Sequence, residues 1–305
     1  MYVELGRISF YPIPSSGHIV LQYWSTHPTE TPLTIPTLQT VIPRSAQHPL
    51  DIVYELVDND KQDNAVQVFS MVLEESYRWK SIVFQIPLIL LEQMSMSLVE
   101  CHFNDYEHPV DVIDIPHPIH LPNVRRLFVS SSRLLSYLRL PSLDKLIICH
   151  LNEADGVHGG TPAMNEFVHR SRCSLTSLSI RNSIFLHQKA EDCLLLMDSL
   201  VSLEIRHIRE ATDILDALAT SLHFLPNLQH LSLLIPTSME PSLWNQLNDI
   251  ISSTTHSLRS IQIFCDDPDD AEWIKEHLTP LQPPELSMIV SWQGYIDPMS
   301  LLWRV

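Results

Sequence analysis

From residue 124 onward the hydrophobic positions recur in one six-residue pattern: apolar, two variable residues, apolar, one variable residue, apolar. It reads VRRLFV from Val124, LDKLII from Leu143, LTSLSI from Leu175, LVSLEI from Leu200, LQHLSL from Leu228 and LRSIQI from Leu258. Successive starts lie 19, 32, 25, 28 and 30 residues apart. WKSIVF from Trp79 and LVECHF from Leu98 are weaker upstream copies. Alternating apolar and variable positions are the signature of a strand with one buried face, so each copy predicts one short strand. Leu121-Pro122-Asn123, Leu140-Pro141-Ser142 and Leu225-Pro226-Asn227 stand directly before three of the copies. Proline has no N–H to give a ladder, so these triplets predict the places where strands begin.

Between the copies the apolar spacing changes from two to three or four. Residues 162–170, 190–200, 211–222 and 242–253 each place their large apolar side chains on one helical face. In the third of these Ile214, Leu215, Leu218 and Leu222 line that face, with Thr212 as a capping candidate. Strand, helix and strand again requires a crossover, and crossovers make the sheet parallel. A unit of this length cannot bury its own apolar face, so neighbouring units must stack. The expected fold is therefore α/β: an irregular, horseshoe-like leucine-rich-repeat solenoid, with parallel strands on the concave face and helices or loops on the convex face. Residues 1–48 are rich in Pro, Ser and Thr and predict only short strands, over 20–24 and 33–35. Residues 49–265 form the expected solenoid, opening with a strand over 49–56 and a helix over 64–73. Residues 266–305 are the expected capping segment: an acidic loop at Asp266 to Asp270, a helix over 272–278 and a strand over 288–292.

Composition narrows the class. The chain has 305 residues, of which 45% are apolar and 18% charged, as in a folded protein with a sizeable core. A formal charge of −17 argues against nucleic acid as a partner, because phosphate rewards positive surface. Five widely spaced cysteines, Cys101, Cys149, Cys173, Cys193 and Cys265, form no Cys-x-x-Cys pair, which fits a reducing compartment. The N-terminal stretch lacks a basic region followed by an apolar run, and no segment approaches eighteen apolar residues. The expectation is a cytoplasmic or nuclear protein with no membrane partner.

The segment Glu75-Ser-Tyr-Arg-Trp-Lys-Ser-Ile-Val-Phe84, followed by the Leu-Pro-led repeats, resembles the leucine-rich portion of fungal F-box proteins. The resemblance covers roughly residues 49–265. It implies the substrate-recognition part of a receptor that brings targets to a cullin-based ubiquitin ligase. The family's F-box, a helical motif that docks on the Skp1 adaptor, has no counterpart in residues 1–60, which carry no helical period. A Skp1-type adaptor is thus a partner only if an F-box lies outside this sequence, and a free-standing repeat scaffold remains the alternative. A second departure is at the strand exits. Where regular repeats often place Asn, this chain has Ser132, Leu151, Ser183, Ile208, Pro236 and Asp266, so the repeats should be irregular.

The variable strand positions point away from the core. The third are Arg126, Lys145, Ser177, Ser202, His230 and Ser260; the fifth are Phe128, Ile147, Ser179, Glu204, Ser232 and Gln262. The seventh are Ser130, Cys149, Arg181, Arg206, Leu234 and Phe264. Stacked strands turn each set into a row. Arg and exposed aromatics dominate interface energetics, so the candidate protein-binding residues are Arg126, Phe128, Ile147, Arg181, Glu204, Arg206, His230, Leu234 and Phe264. The alternative is that other segments cover this face and the Phe side chains are simply packed. His117-Pro-Ile-His120, with His102 and His108, matches no zinc spacing. The run Asp266 to Asp270 lacks the glycine and closing glutamate of a calcium loop, and Gly156 to Gly160 lacks the Lys of a phosphate loop. No nucleophile elbow occurs. Neither metal nor cofactor is expected. The leading reading is a non-enzymatic protein-binding module, with an α/β hydrolase or transferase as the reading from another class.

Overall fold

The structure is a computed structural model that describes residues 8–12, 19–24, 50–55, 79–85, 98–103, 117–129, 132–149, 160–181, 190–206, 212–221, 223–235, 241–252 and 257–292. The expected strand at 33–35 and helix at 64–73 lie outside these residues, as do His108 and residues 156–159. The chain divides into two compact units: residues 1–144 with 169–173, and residues 145–168 with 174–305.

The first unit contains β1 (Ile8–Pro12), β2 (Ile19–Trp24), β3 (Leu50–Glu55), β4 (Trp79–Gln85), β5 (Glu100–Phe103), β6 (Ile119–His120), β7 (Arg126–Val129) and β8 (Leu138–Arg139). Strands β1, β2, β3, β4, β5 and β7 are hydrogen-bonded neighbours in that order. The β1–β2 pair is antiparallel and the rest are parallel. The His117–His120 stretch supplies β6, which pairs with β8 in a separate two-stranded ladder. Cys101, Phe103, Val124, Leu127 and Val129 are buried. So are Leu135, Leu138 and Leu140, around a 3₁₀ turn at Ser132–Tyr137. Residues 170 and 171 fasten this turn. Arg170 donates from Nε to the Leu138 carbonyl at 3.0 Å and from Nη2 to the Leu135 carbonyl at 2.6 Å. The buried Ser171 Oγ accepts from the Leu140 N–H at 3.1 Å.

The second unit is a run of parallel strands, β9 (Lys145–Ile148), β10 (Ser177–Ile180), β11 (Ser202–Ile205), β12 (His230–Ile235), β13 (Ser260–Cys265) and β14 (Ser287–Trp292), each bonded to the next. Helices stand between them: α1 (Gly160–Ser171), α2 (Ala190–Leu194), α3 (Thr212–Thr220), α4 (Pro241–Ser252) and α5 (Pro268–Leu278). The protein is therefore α/β, and among the described residues every strand pairing is parallel except that of β1 with β2. The aliphatic positions align across the strands: Leu146, Leu178, Leu203, Leu231 and Ile261 form one buried row, and Ile148, Ile180, Ile205, Leu233 and Ile263 a second. The helices add Met164 and Phe167 from α1, Ile214, Leu215 and Leu218 from α3, and Leu243, Leu247, Ile250 and Ile251 from α4 to the buried set.

The Leu-Pro triplets are turns rather than strand starts. The Leu143 N–H donates to the Leu140 carbonyl at 3.2 Å and the Leu228 N–H to the Leu225 carbonyl at 3.0 Å. That places Pro141 and Pro226 second in a four-residue turn, where their fixed φ fits. Leu225, ahead of Pro226, is held at φ 48°, a left-handed conformation that costs a bulky residue on the order of 1 kcal/mol or more. Its buried side chain supplies the compensating contact. Ahead of β11, β12 and β13, one carbonyl of the preceding strand segment receives two consecutive N–H groups. Thr176 accepts from Val201 and Ser202, Val201 from Gln229 and His230, and Gln229 from Arg259 and Ser260, all within 3.0 Å. Side chains reinforce the same edge: Ser199 Oγ donates to the Leu175 carbonyl, Asn227 Nδ2 to that of Asp198, and Ser257 Oγ to that of Leu228.

The acidic run is a helix start, not a loop. Asp267 caps α5, its side chain accepting from the Asp269 N–H at 2.8 Å, and Pro268 occupies the first turn. Asp269 and Asp270 then face the positive end of the helix dipole, and Lys275 and His277 the negative end. Among the described residues no helix is long and apolar enough to cross a membrane.

Candidate functional site

The same register that aligns the aliphatic rows aligns the outward residues between them. In the second unit Lys145, Ser177, Ser202, His230 and Ser260 form one row, and Ile147, Ser179, Glu204, Ser232 and Gln262 the next. A third row follows two residues beyond. There the Arg181 N–H still reaches the Ile148 carbonyl at 2.9 Å and the Arg206 N–H the Ile180 carbonyl at 3.0 Å, and Leu234 pairs with Phe264. Cys149, Arg181, Arg206, Leu234 and Phe264 thus follow one another across the strands.

The centre of this surface is an ion cluster. Arg206 Nε lies 2.6 Å from Glu204 Oε1, and Arg181 Nε 3.8 Å from the same oxygen. Arg181 Nε also donates to Ser179 Oγ at 3.3 Å. The three side chains are 14%, 27% and 20% exposed for Arg181, Glu204 and Arg206, so water screens them only in part. Burial pushes the Glu204 carboxyl up. The Arg181 and Arg206 charges, with hydrogen bonds from Arg206 and Ser179, outweigh it and hold the carboxyl below its ordinary value. Cys149 lies beside the cluster. Burial pushes its thiol up to about 11 against the opposing pull of both guanidiniums, so it is neutral at pH 7.

Ile147, Leu234 and Phe264 are half-buried in their rows. His230 is exposed, and its Nδ1 shares a hydrogen bond with Ser260 Oγ across the β12–β13 pair at 2.7 Å.

Arg126 and Phe128 belong to the first unit. Arg126 Nη2 pairs with Glu100 Oε2 at 2.6 Å, and His102 Nε2 stands 3.0 Å from Glu100 Oε1. Phe128, expected to be exposed, is buried at 6%. The reason is His102 on β5, whose ring stacks on it with centroids 5.5 Å apart. A fifth-position aromatic beside an imidazole gains more from stacking than from water.

The helices also carry an aromatic cluster. Trp273 of α5 stacks on His277 at 4.1 Å, and Trp244 of α4 meets both rings at 4.9 and 5.9 Å. The i, i+4 spacing of Trp273 and His277 is the signal from which this contact could have been read. All five cysteines are free. Among the described residues no three His, Cys, Asp or Glu side chains are grouped to hold a metal.

A scan against protein-family models finds no match, and a search of curated proteins finds none either. Among solved structures, the crystal structure of a Bacteroides fragilis protein, determined as a structural-genomics target, is similar at 14% identity with a TM-score of 0.44. The match covers 81% of this chain and spans 66% of that protein's length, just under two thirds.

Proposed function

We propose that this chain is a non-enzymatic protein-recognition module, built as an irregular leucine-rich-repeat solenoid whose strand-bearing face receives the partner. The observation that carries the reading is the register of the second unit. Consecutive parallel strands bring outward side chains from distant parts of the chain into straight rows, and the buried rows beneath hold them in place whatever their identity. Such a surface varies freely while its core does not, which suits selective binding more than catalysis. Arg181, Glu204 and Arg206 supply a charged centre, and Leu234 and Phe264 an apolar flank, the residue types that anchor interfaces.

Within this reading the chain is the substrate-recognition part of an F-box-type receptor. The support is the Trp79 segment and the Leu-Pro-led repeats. The test is affinity capture with the full native chain, followed by mass spectrometry, beside an Arg181→Glu, Arg206→Glu double variant. The expected result is a protein whose recovery falls about tenfold or more in the double variant, the size of a hot-spot loss. Circular dichroism must show the variant still folded. Unchanged recovery removes this surface as the binding site. Capture of a partner without a Skp1-type adaptor, by a chain extended over its whole reading frame, favours the free-standing scaffold.

A further inference from the structure

Among the described residues the ion cluster of the second unit holds two guanidiniums and one carboxylate. Two guanidiniums share Glu204, and among the described residues no other carboxylate lies within ion-pair distance of Arg181 or Arg206. Their Nε atoms face Ser179 and Glu204, while the fork of Nη donors that suits a carboxylate has no carboxylate partner among the described residues. The adjacent thiol, Cys149, is neutral and adds no negative charge. One strand further, Leu234 and Phe264 continue the same row as half-buried apolar side chains.

We propose that this row reads a short acidic segment of a partner protein, in which a Glu or Asp carboxylate seats between Arg181 and Arg206 and an apolar side chain three residues away seats on Leu234 and Phe264. The inference rests on the recognition reading above and names the partner's chemistry. The spacing follows from geometry. Neighbouring strands are about 4.8 Å apart, so Phe264 lies two strand steps, roughly 10 Å, from Arg206. A peptide in the polyproline II conformation advances about 3.1 Å per residue with three residues per turn, so side chains three apart share a face and span about that distance. The charge of −17 on the whole chain opposes an acidic partner at long range. Salt screens that repulsion beyond about 8 Å under physiological conditions, and the partly shielded guanidiniums act inside that distance.

The experiment is selection of a random dodecapeptide phage library on the immobilised full chain. Synthetic fluorescein-labelled copies of the enriched sequences, each with a Glu→Gln or Asp→Asn isostere, are then titrated by anisotropy. The expected enrichment is acidic-x-x-apolar, with affinity falling about tenfold or more for the amide isostere and for Arg206→Gln or Arg181→Gln. Glu204→Gln gives the opposite sign: freeing both guanidiniums should tighten the acidic peptide several-fold, whereas a purely structural role for Glu204 would weaken it. Enriched peptides without an acidic position, or affinities indifferent to Arg206→Gln, overturn this inference and leave the recognition reading standing. No enrichment over insert-free phage overturns it too. If partner capture by the full chain also fails, the recognition reading falls with it.

Discussion

Leu203 and Ser202 are neighbours on β11, and the alternation assigns them opposite fates. Leu203 is fully buried between Leu178 and Leu231, whereas Ser202 faces outward in the row with Ser177 and His230. Leu203→Ala removes three buried carbon atoms. At about 0.8 kcal/mol for each, transfer alone is worth about 2.4 kcal/mol. The cavity between two fixed strands cannot collapse fully, which raises the cost to roughly 3–5 kcal/mol. Ser202→Ala on the open face should stay within about 0.5 kcal/mol. Urea unfolding followed by the fluorescence of Trp244, Trp273 and Trp292, all in the same unit, measures both. The expected outcome is a large fall in the Leu203→Ala midpoint at unchanged slope, with Ser202→Ala superimposing on the parent. A thermal scan should place the Leu203→Ala melt lower by roughly 2–4 °C for each kcal/mol. Equal midpoints for the two variants would refute the assignment of faces, and the rows with it.

Three further outcomes are expected. Glu204 is held below its ordinary carboxyl value, so its contribution to stability is complete above that value, near 4.5, and is lost as pH falls through the lowered folded value. Urea midpoints measured from pH 6 to pH 3 should therefore drop less steeply for Glu204→Gln than for the parent, and parallel curves would contradict the pairing. Burial pushes Cys193 up to about 12 and Cys149 up to about 11. Iodoacetamide at pH 8 should accordingly leave both unmodified in the native protein and alkylate them in urea, as read by peptide mass; rapid native labelling of Cys193 would count against its placement. Ser171→Ala strands the buried Leu140 N–H and should cost about 1–3 kcal/mol, against a near-neutral Ser174→Ala on an exposed site, by the same urea assay.

Much of this architecture was legible because the strands obey a period of two with little interruption. The copies at Val124, Leu143, Leu175, Leu200, Leu228 and Leu258 all contain strands, and each strand begins at the third position of its copy. The outward rows could be written down before any geometry, since one register fixes them all. The remainder depended on partners that no local pattern reveals. Phe128 is buried because His102, 26 positions earlier in the chain, comes to lie over it. Asp266 to Asp270 reads as solvated charge, yet its second residue caps a helix, a role set by where β13 stops. The Leu-Pro triplets carried a turn signal in the proline itself, and the polar residue after it hid a second meaning. Asn227, like Ser199 and Ser257 at comparable points, satisfies a carbonyl of the preceding coil. The missing Asn at the strand exits is thus matched by a hydroxyl and amide series at the opposite end. The pairing of Arg181 and Arg206 through Glu204 joins two adjacent rows, and side-chain reach rather than periodicity decides it.

The carbonyl that receives two N–H groups ahead of β11, β12 and β13 has an evolutionary consequence. Alignment between neighbours is fixed at that point and along the ladder that follows it, so the length of chain spent travelling back to it is left unconstrained. Strand starts in the second unit are separated by anything from 25 to 32 residues without slipping the ladder. Insertions and deletions in the return segments should consequently be tolerated across descendants of this gene, while the dipeptide that meets the shared oxygen resists any change in spacing.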